Sequence, residues 1–237
     1  FDLKRIRGIR RPALGTIYPV ANNPVFLLDI GATTDCKPEY LLQFSRMGAA
    51  YVEHVWKVPN PRVGLLSTGE EPDKGSMLTR DTYAVLAESD LNFVGNVEPK
   101  EVTQGAADVV LTDGFTGNVM IKTTEAVASF LFRYLKQELG SGTLNKFSLA
   151  LMVPGLLAML PGLALMLPSL RRIAQRLDYA EYGGVLLLGV DGVVVVGHGR
   201  SNAKAVKNAI RQAHEAVQGS VVEAIRNGLT LAKEQNE

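Results

Sequence analysis

Six short apolar runs restrict this chain to a sheet-based fold more strongly than any other feature. They are residues 24–30, 62–66, 91–94, 108–111, 185–190 and 193–196. Rich in β-branched residues and nearly free of polar interruption, they suit strands covered on both faces, since a half-exposed strand alternates instead. Helical periods lie between them. In residues 38–58, Tyr40, Phe44, Met47, Tyr51 and Val55 step by three or four, and Pro38 suits a first helical turn. Residues 117–139 predict a second long helix. Residues 202–231 predict a third, with Ala205, Ala209, Ala213, Val217 and Val221 at spacing four. The last two apolar runs flank Asp191-Gly192, a strong hairpin signal. The expected fold is α/β: a three-layer sandwich whose sheet is mixed and mainly parallel.

Composition narrows the partners little. Among 237 residues, 46% are hydrophobic and 21% charged, an ordinary globular balance, and a net charge of +1 points to no nucleic acid. Locally the charge is uneven: Lys4, Arg5, Arg7, Arg10 and Arg11 face only Asp2, and Arg171, Arg172 and Arg176 form a second cluster. Each cluster suits anionic lipid or an acidic protein, and equally a plain solvated surface. A lone cysteine, Cys36, rules out an internal disulfide and a cysteine metal site, and a reducing cytoplasm is the natural setting; no metal and no cofactor is expected. The chain opens Phe-Asp-Leu-Lys-Arg, without a signal peptide or an initiator Met, and reads as part of something longer.

One stretch behaves unlike the rest. Residues 149–167 hold no polar side chain, a length that could span a bilayer, but Pro154, Pro161 and Pro168 interrupt it. An interior proline costs a helix roughly 3 kcal/mol, so a continuous span is not expected. Ser169 then caps a segment with Leu170, Ile173, Ala174 and Leu177 on one face and Arg171, Arg172 and Arg176 on the other. Residues 143–180 are therefore expected to form an inserted, protruding helical hairpin, the remainder of 1–237 being one α/β region. Leu156, Leu157, Leu160, Leu163, Leu167, Arg171, Arg172 and Arg176 would lie at a membrane interface. A dimer contact or core cover is the alternative use of the same leucines.

Five glycine-bearing loops follow strands, where open α/β sheets bind ligands. They are residues 28–33, 64–75, 94–98, 113–118 and 198–202. Glycine lets backbone N–H groups approach an anion, and a helix N-terminus adds partial positive charge, although glycine after a strand is more often only a turn device. Lys74, Lys122 and Arg200 would add full charge to a phosphate site, yet Lys122 is equally placed to pair with Glu125. His198 is the acid–base candidate by type, with a purely structural histidine as the alternative. Cys36 reads as a packed thiol.

Taken together, LDIGATTDCKPEYLLQFSRMGAAYVEHV, NPRVGLLSTGEEPDKG, NFVGNVE, DVVLTDGFTGNVMIKTTE and EYGGVLLLGVDGVVVVGHGRSNAKAVKNAI, with the opening RIRGIRRPAL, resemble the phosphate acyltransferase family of bacterial phospholipid synthesis. The resemblance runs along nearly the whole chain. It implies a fold like those of phosphotransacetylases and isocitrate/isopropylmalate dehydrogenases. It also implies transfer of a fatty acyl group from acyl carrier protein to inorganic phosphate, in a cytoplasmic, peripherally membrane-associated homodimer. Two departures stand out. The family's Asp-Ala-Met-Gly-Gly-Asp and Ala-Gly-Asn-Thr-Gly segments are absent here, and Tyr182-Gly183-Gly184-Val185-Leu186 replaces its usual Tyr-Gly-Gly-Ala-Pro.

Such a reaction needs an oriented phosphate and a stabilised oxyanion rather than an enzyme nucleophile, because a thiol of pKa near 8.5 leaves readily. The residues expected to carry it are Asn118, Lys122 and His198 as catalytic groups, with the Thr116–Gly117 backbone as anion donors. Asp113, Thr116, Gly117, Gly69, Glu70, Lys74, Asn96, Arg200, Ser201 and Asn202 would line the pocket. Acyl exchange between coenzyme A and phosphate is the rival activity, and a membrane-docked scaffold that only binds carrier protein is the non-catalytic alternative.

Overall fold

A computed structural model of the chain describes residues 3–18, 20, 24–141, 183–199 and 201–234. The expected hairpin of residues 143–180, with all eight membrane-contact candidates, lies outside the described residues, as does Arg200. The chain forms two units, one of residues 1–119 with 179–237 and another of residues 120–178.

The first unit is built on a seven-stranded sheet in the order β4-β3-β5-β2-β1-β6-β7. Its strands are β1 (Ala13–Tyr18), β2 (Val25–Leu28), β3 (Val63–Leu66), β4 (Phe93–Val97), β5 (Val109–Leu111), β6 (Val185–Leu188) and β7 (Val194–Val196). β2, β3, β4 and β5 pair in parallel, while β1 pairs antiparallel with both β2 and β6, and β6 antiparallel with β7. Five strands thus share one direction and β1 and β7 oppose it, giving the mixed, mainly parallel sheet expected. Phe26, Leu28, Val63, Leu65, Val109 and Leu111 belong to the core on one face, and Val25, Leu27 and Val110 of the reverse face are also fully buried. Burial on both faces explains the unbroken apolar runs.

Helix α1 (Pro38–Trp56) opens with proline and ends where Lys57 turns left-handed at φ 59°. It packs against β2, β5, α2 (Met77–Ala87), α5 (Ala203–Gln218) and α6 (Val221–Glu234). The short α3 (Pro99–Val102) carries a capping box of Glu98 and Glu101, and α4 runs Gly114–Ser141. At the far end of the sheet, Arg62 binds Asp108 through its backbone N–H at 2.8 Å and its guanidinium at 3.0 and 3.2 Å, and also reaches the carbonyls of Gly105 and Ala106. This ties the amino ends of β3 and β5 together.

Several expectations need correction. The third helix is two: Gly219 lies against the His54 carbonyl and Ser220 adopts φ 50°, ending α5 before α6 starts. Spacing-four alanines report which face is buried, not whether the backbone runs on. The run at residues 91–94 is displaced to β4. Strand β1 and helix α2 went unforeseen. ALGTIY offers no continuous apolar run, and α2 buries only Thr82 and Leu86 and depends on Ser76, whose hydroxyl accepts the Thr79 N–H at 3.2 Å.

In the second unit, the described residues continue α4. Lys122 pairs with Glu125 at 3.3 Å, and Phe130 stacks on Tyr134 at 6.0 Å. Among the described residues no helix is long and apolar enough to cross a membrane.

Candidate active site

Because β4, β3, β5 and β2 are parallel neighbours, the loops leaving their carboxyl ends share one edge of the sheet. The centre of that edge is Asp29, fully buried just after β2. Its Oδ1 accepts backbone N–H bonds from Leu14 at 2.9 Å, Gly31 at 3.1 Å and Ala32 at 3.0 Å, and Oδ2 one from Thr33 at 2.7 Å. Burial pushes this carboxyl above its ordinary value near 3.8, against the pull of the four N–H groups. The sequence alone points to no role for Asp29; its signal is an acid placed inside an apolar run, with glycine two residues later.

The start of α4 rests on this loop. The Gly114 N–H donates to Thr33 O at 2.8 Å. A Cβ on Gly114 would stand 2.6 Å from that same oxygen, and one on Gly117 only 2.0 Å from Asp29 O. Both glycines therefore serve close backbone contact, and no larger residue fits. The Asn118 amide sits beside Gly31, where a Cβ would come within 3.2 Å of its nitrogen. Asp113 caps the helix. Its Oδ1 accepts the N–H of Phe115 at 3.0 Å and of Thr116 at 2.9 Å, its Oδ2 accepts the Thr116 hydroxyl at 2.6 Å, and its carbonyl takes the Gly117 N–H. These first-turn donors are engaged within the protein, which corrects the expectation that the Thr116–Gly117 backbone is available to an anion.

From β3 and β4 come Gly69, Glu70, Lys74 and Asn96. The Asn96 amide donates to Glu71 O at 2.7 Å, and the Ser67 N–H to Val97 O at 3.0 Å, so the two loops are joined. The aliphatic stem of Lys74 covers Gly69, where an added Cβ would be 2.9 Å from Cγ. Lys74 is exposed and has no ion pair among the described residues. Ser67 Oγ and Asn96 Oδ1 are buried here without a hydrogen-bond partner, as are polar atoms of Arg46, Tyr51, Thr82 and Gln212 elsewhere among the described residues. Ser67 had no assigned role.

The fifth loop is elsewhere. β7 runs opposite to the central strands and is the outermost strand beyond β6. His198, Ser201 and Asn202 thus leave the opposite end of the sheet. There they serve local structure: the His198 N–H donates to Ser201 Oγ at 3.0 Å, and Asn202 caps α5 by accepting the Ala205 N–H at 2.9 Å. The sequence suggested one cleft because it shows which loop comes after each strand, not which way the strand points. Lys122 falls in the second unit, paired with Glu125. Cys36 borders the Asp29 loop. Burial pushes its thiol up to about 12, aided by Asp29, Asp113 and Asp35, and it donates weakly to Thr33 O at 3.3 Å.

Residues 1–224 match the model of a family described as fatty acid synthesis protein. The chain belongs to that family. Among curated relatives, a "Phosphate acyltransferase" of Desulforudis audaxviator is 47% identical over 234 residues, covering 99% of this chain and 66% of the relative. One of Dictyoglomus turgidum is 45% identical over 237 residues, again 99% of this chain and 66% of the relative. One of Clostridium perfringens is 42% identical over 98% of this chain and 65% of its own length. The chain therefore spans slightly under two thirds of these family members. Among solved structures, a phosphotransacetylase from Streptococcus pyogenes shares the fold, with a TM-score of 0.50 at 15% identity over 91% of this chain and 57% of that one.

Proposed function

We propose that this chain forms the phosphate-binding edge of an enzyme that transfers a fatty acyl group from a carrier-protein thioester to inorganic phosphate. The carrying observation is its 42–47% identity, over nearly its whole length, to proteins named phosphate acyltransferase. In the proposed reaction a phosphate oxygen attacks the thioester carbonyl. The C–O bond forms, the tetrahedral oxyanion collapses, the C–S bond breaks, and the thiolate takes a proton from water. Lys74 supplies charge to phosphate, and the Asn118 amide, beside Gly31, donates to the oxyanion. Ser67 offers its unpartnered hydroxyl to the bound anion, whereas the unused atom of Asn96 is its carbonyl oxygen, an acceptor. Asp113 acts through the helix it caps. His198 has no part in this scheme, since it leaves the other end of the sheet. The enzyme works in the cytoplasm as a homodimer touching the membrane peripherally.

The test is phosphate-dependent release of free thiol by the full-length protein and by Asn118→Ala and Lys74→Ala, with His198→Ala as control. Losses of about 10²-fold or more in the first two, with the control near wild type, are expected, the range for removing one oxyanion donor. Wild-type turnover in both would refute the assignment. Faster release from acyl-coenzyme A than from acyl carrier protein would favour the phosphotransacetylase-like reading. Binding of carrier protein without any thiol release would favour the scaffold.

A further inference from the structure

Residues 3–12 form a basic strip that the proposed chemistry leaves unused. It crosses the carboxyl edge of the sheet: Ile6 N–H donates to Gly189 O at 3.0 Å, Asp191 N–H donates to Lys4 O at 2.7 Å, and Arg5 bridges Val190 just beyond β6. At its other end the Thr33 hydroxyl donates to Pro12 O at 3.4 Å, so the strip adjoins the Asp29 loop. Gln43 of α1 clamps the middle, accepting the Arg10 N–H at 2.8 Å and donating to Gly8 O at 2.9 Å. Arg5 also bonds the Arg10 carbonyl.

The result is a groove of about 750 Å³ lined by Arg5, Arg10, Arg11, Tyr40 and Gln43. A second of about 510 Å³ shares Arg5 and adds Lys4 and Arg7. Arg5, Arg7, Arg10 and Arg11 are exposed, and among the described residues none has an ion pair. Four exposed guanidinium groups within seven residues, with no described acid paired to them, give this strip a positive potential that favours an anionic partner. One phosphate would meet a single short part of a strip that runs through two adjoining cavities. Carboxylates repeating along one face of a helix, at 5.4 Å per turn, could engage several of these arginines at once, each by a bidentate pair.

We propose that this groove docks an acidic helical face of the protein that carries the acyl thioester. Only the nature of the cargo rests on the acyl-transfer reading. The full-length protein and its Arg10→Gln/Arg11→Gln variant, which retains the backbone clamp, are to be titrated with acyl carrier protein by calorimetry. Both are also to be assayed with acyl carrier protein and acyl-coenzyme A. The variant should raise Kd and KM for the carrier protein at least about tenfold with kcat retained, and Arg7→Glu should weaken binding likewise. The difference should shrink at high salt. Kinetics with acyl-coenzyme A should not change. Unchanged carrier binding overturns the proposal, and so does an equal loss with acyl-coenzyme A, which would place the arm's phosphate in the groove. Loss of binding to anionic phosphatidylglycerol vesicles with carrier binding intact also overturns it. Because calorimetry reads docking without turnover, a protein that binds carrier through these arginines but forms no acyl phosphate would refute the acyl-transfer reading alone.

Discussion

Replacing Gly117 with alanine tests the site where it is most tightly built. The new Cβ would lie 2.0 Å from Asp29 O, 2.8 Å from Thr112 Cγ2 and 3.0 Å from Asp29 C. Non-bonded carbon and oxygen need more than about 3 Å, so the start of α4 must withdraw by about 1 Å or the Asp29 loop must yield. The loop is ill suited to yield, since four N–H groups hold its carboxylate. Overpacking of this kind costs about 3 kcal/mol, which for a chain of this size lowers Tm by roughly 6–12 °C. Activity should fall further than stability, because a displacement of about 1 Å carries Asn118 with it and costs on the order of 10²-fold in turnover. Gly228→Ala is the control: nothing lies within 4 Å of its Cβ. Inside helix α6 it should stabilise by roughly 0.5–1 kcal/mol. Calorimetric melting and thiol release give both readouts. A Gly117→Ala protein with wild-type Tm and turnover would refute the close-contact account of the motif.

Three further outcomes rest on the same geometry. Asp113→Ala removes the cap of α4 and should cost about 0.5–2 kcal/mol by chemical denaturation, most of it restored by Asp113→Asn. Burial alone would raise the Asp108 carboxyl, but the hydrogen bonds and charge of Arg62 outweigh it and hold the group below its ordinary 3.8. Its stabilisation is therefore full above that value and disappears as pH falls through the lowered one. Asp108→Asn should flatten this part of the stability curve, measured by urea melts from pH 6 to 2. With its thiol pushed up to about 12, Cys36 should resist iodoacetamide at pH 8.5 while folded and react at once in denaturant, followed by mass spectrometry.

Much of this architecture is legible in the residues. β2, β3, β5 and β6 announce themselves as apolar runs, Pro38 marks the start of α1, and Asp191-Gly192 marks the β6–β7 connection. What stays hidden depends on the third dimension. The two glycines of residues 113–118 look like an anion cradle, yet the oxygen that forbids a Cβ belongs to a loop more than 80 residues earlier in the chain. His198 follows a strand as convincingly as Asn118 does, and only the reversed direction of β7 separates them. Asp29 escaped notice because a buried acid is informative only once its four donors are known.

Among the described residues, β1 alone hydrogen-bonds both to the parallel set and to the hairpin pair, and its two partners lie very unequally along the polypeptide. Gly15 meets Leu28 on one side and Leu186 on the other, the latter 171 residues later (186 − 15). At synthesis rates of roughly 5–20 residues per second, the second side of β1 waits on the order of 10–30 s on the ribosome for its mate. Through that interval a growing chain presents an unpaired strand edge, the kind of surface on which nascent polypeptides stick to one another.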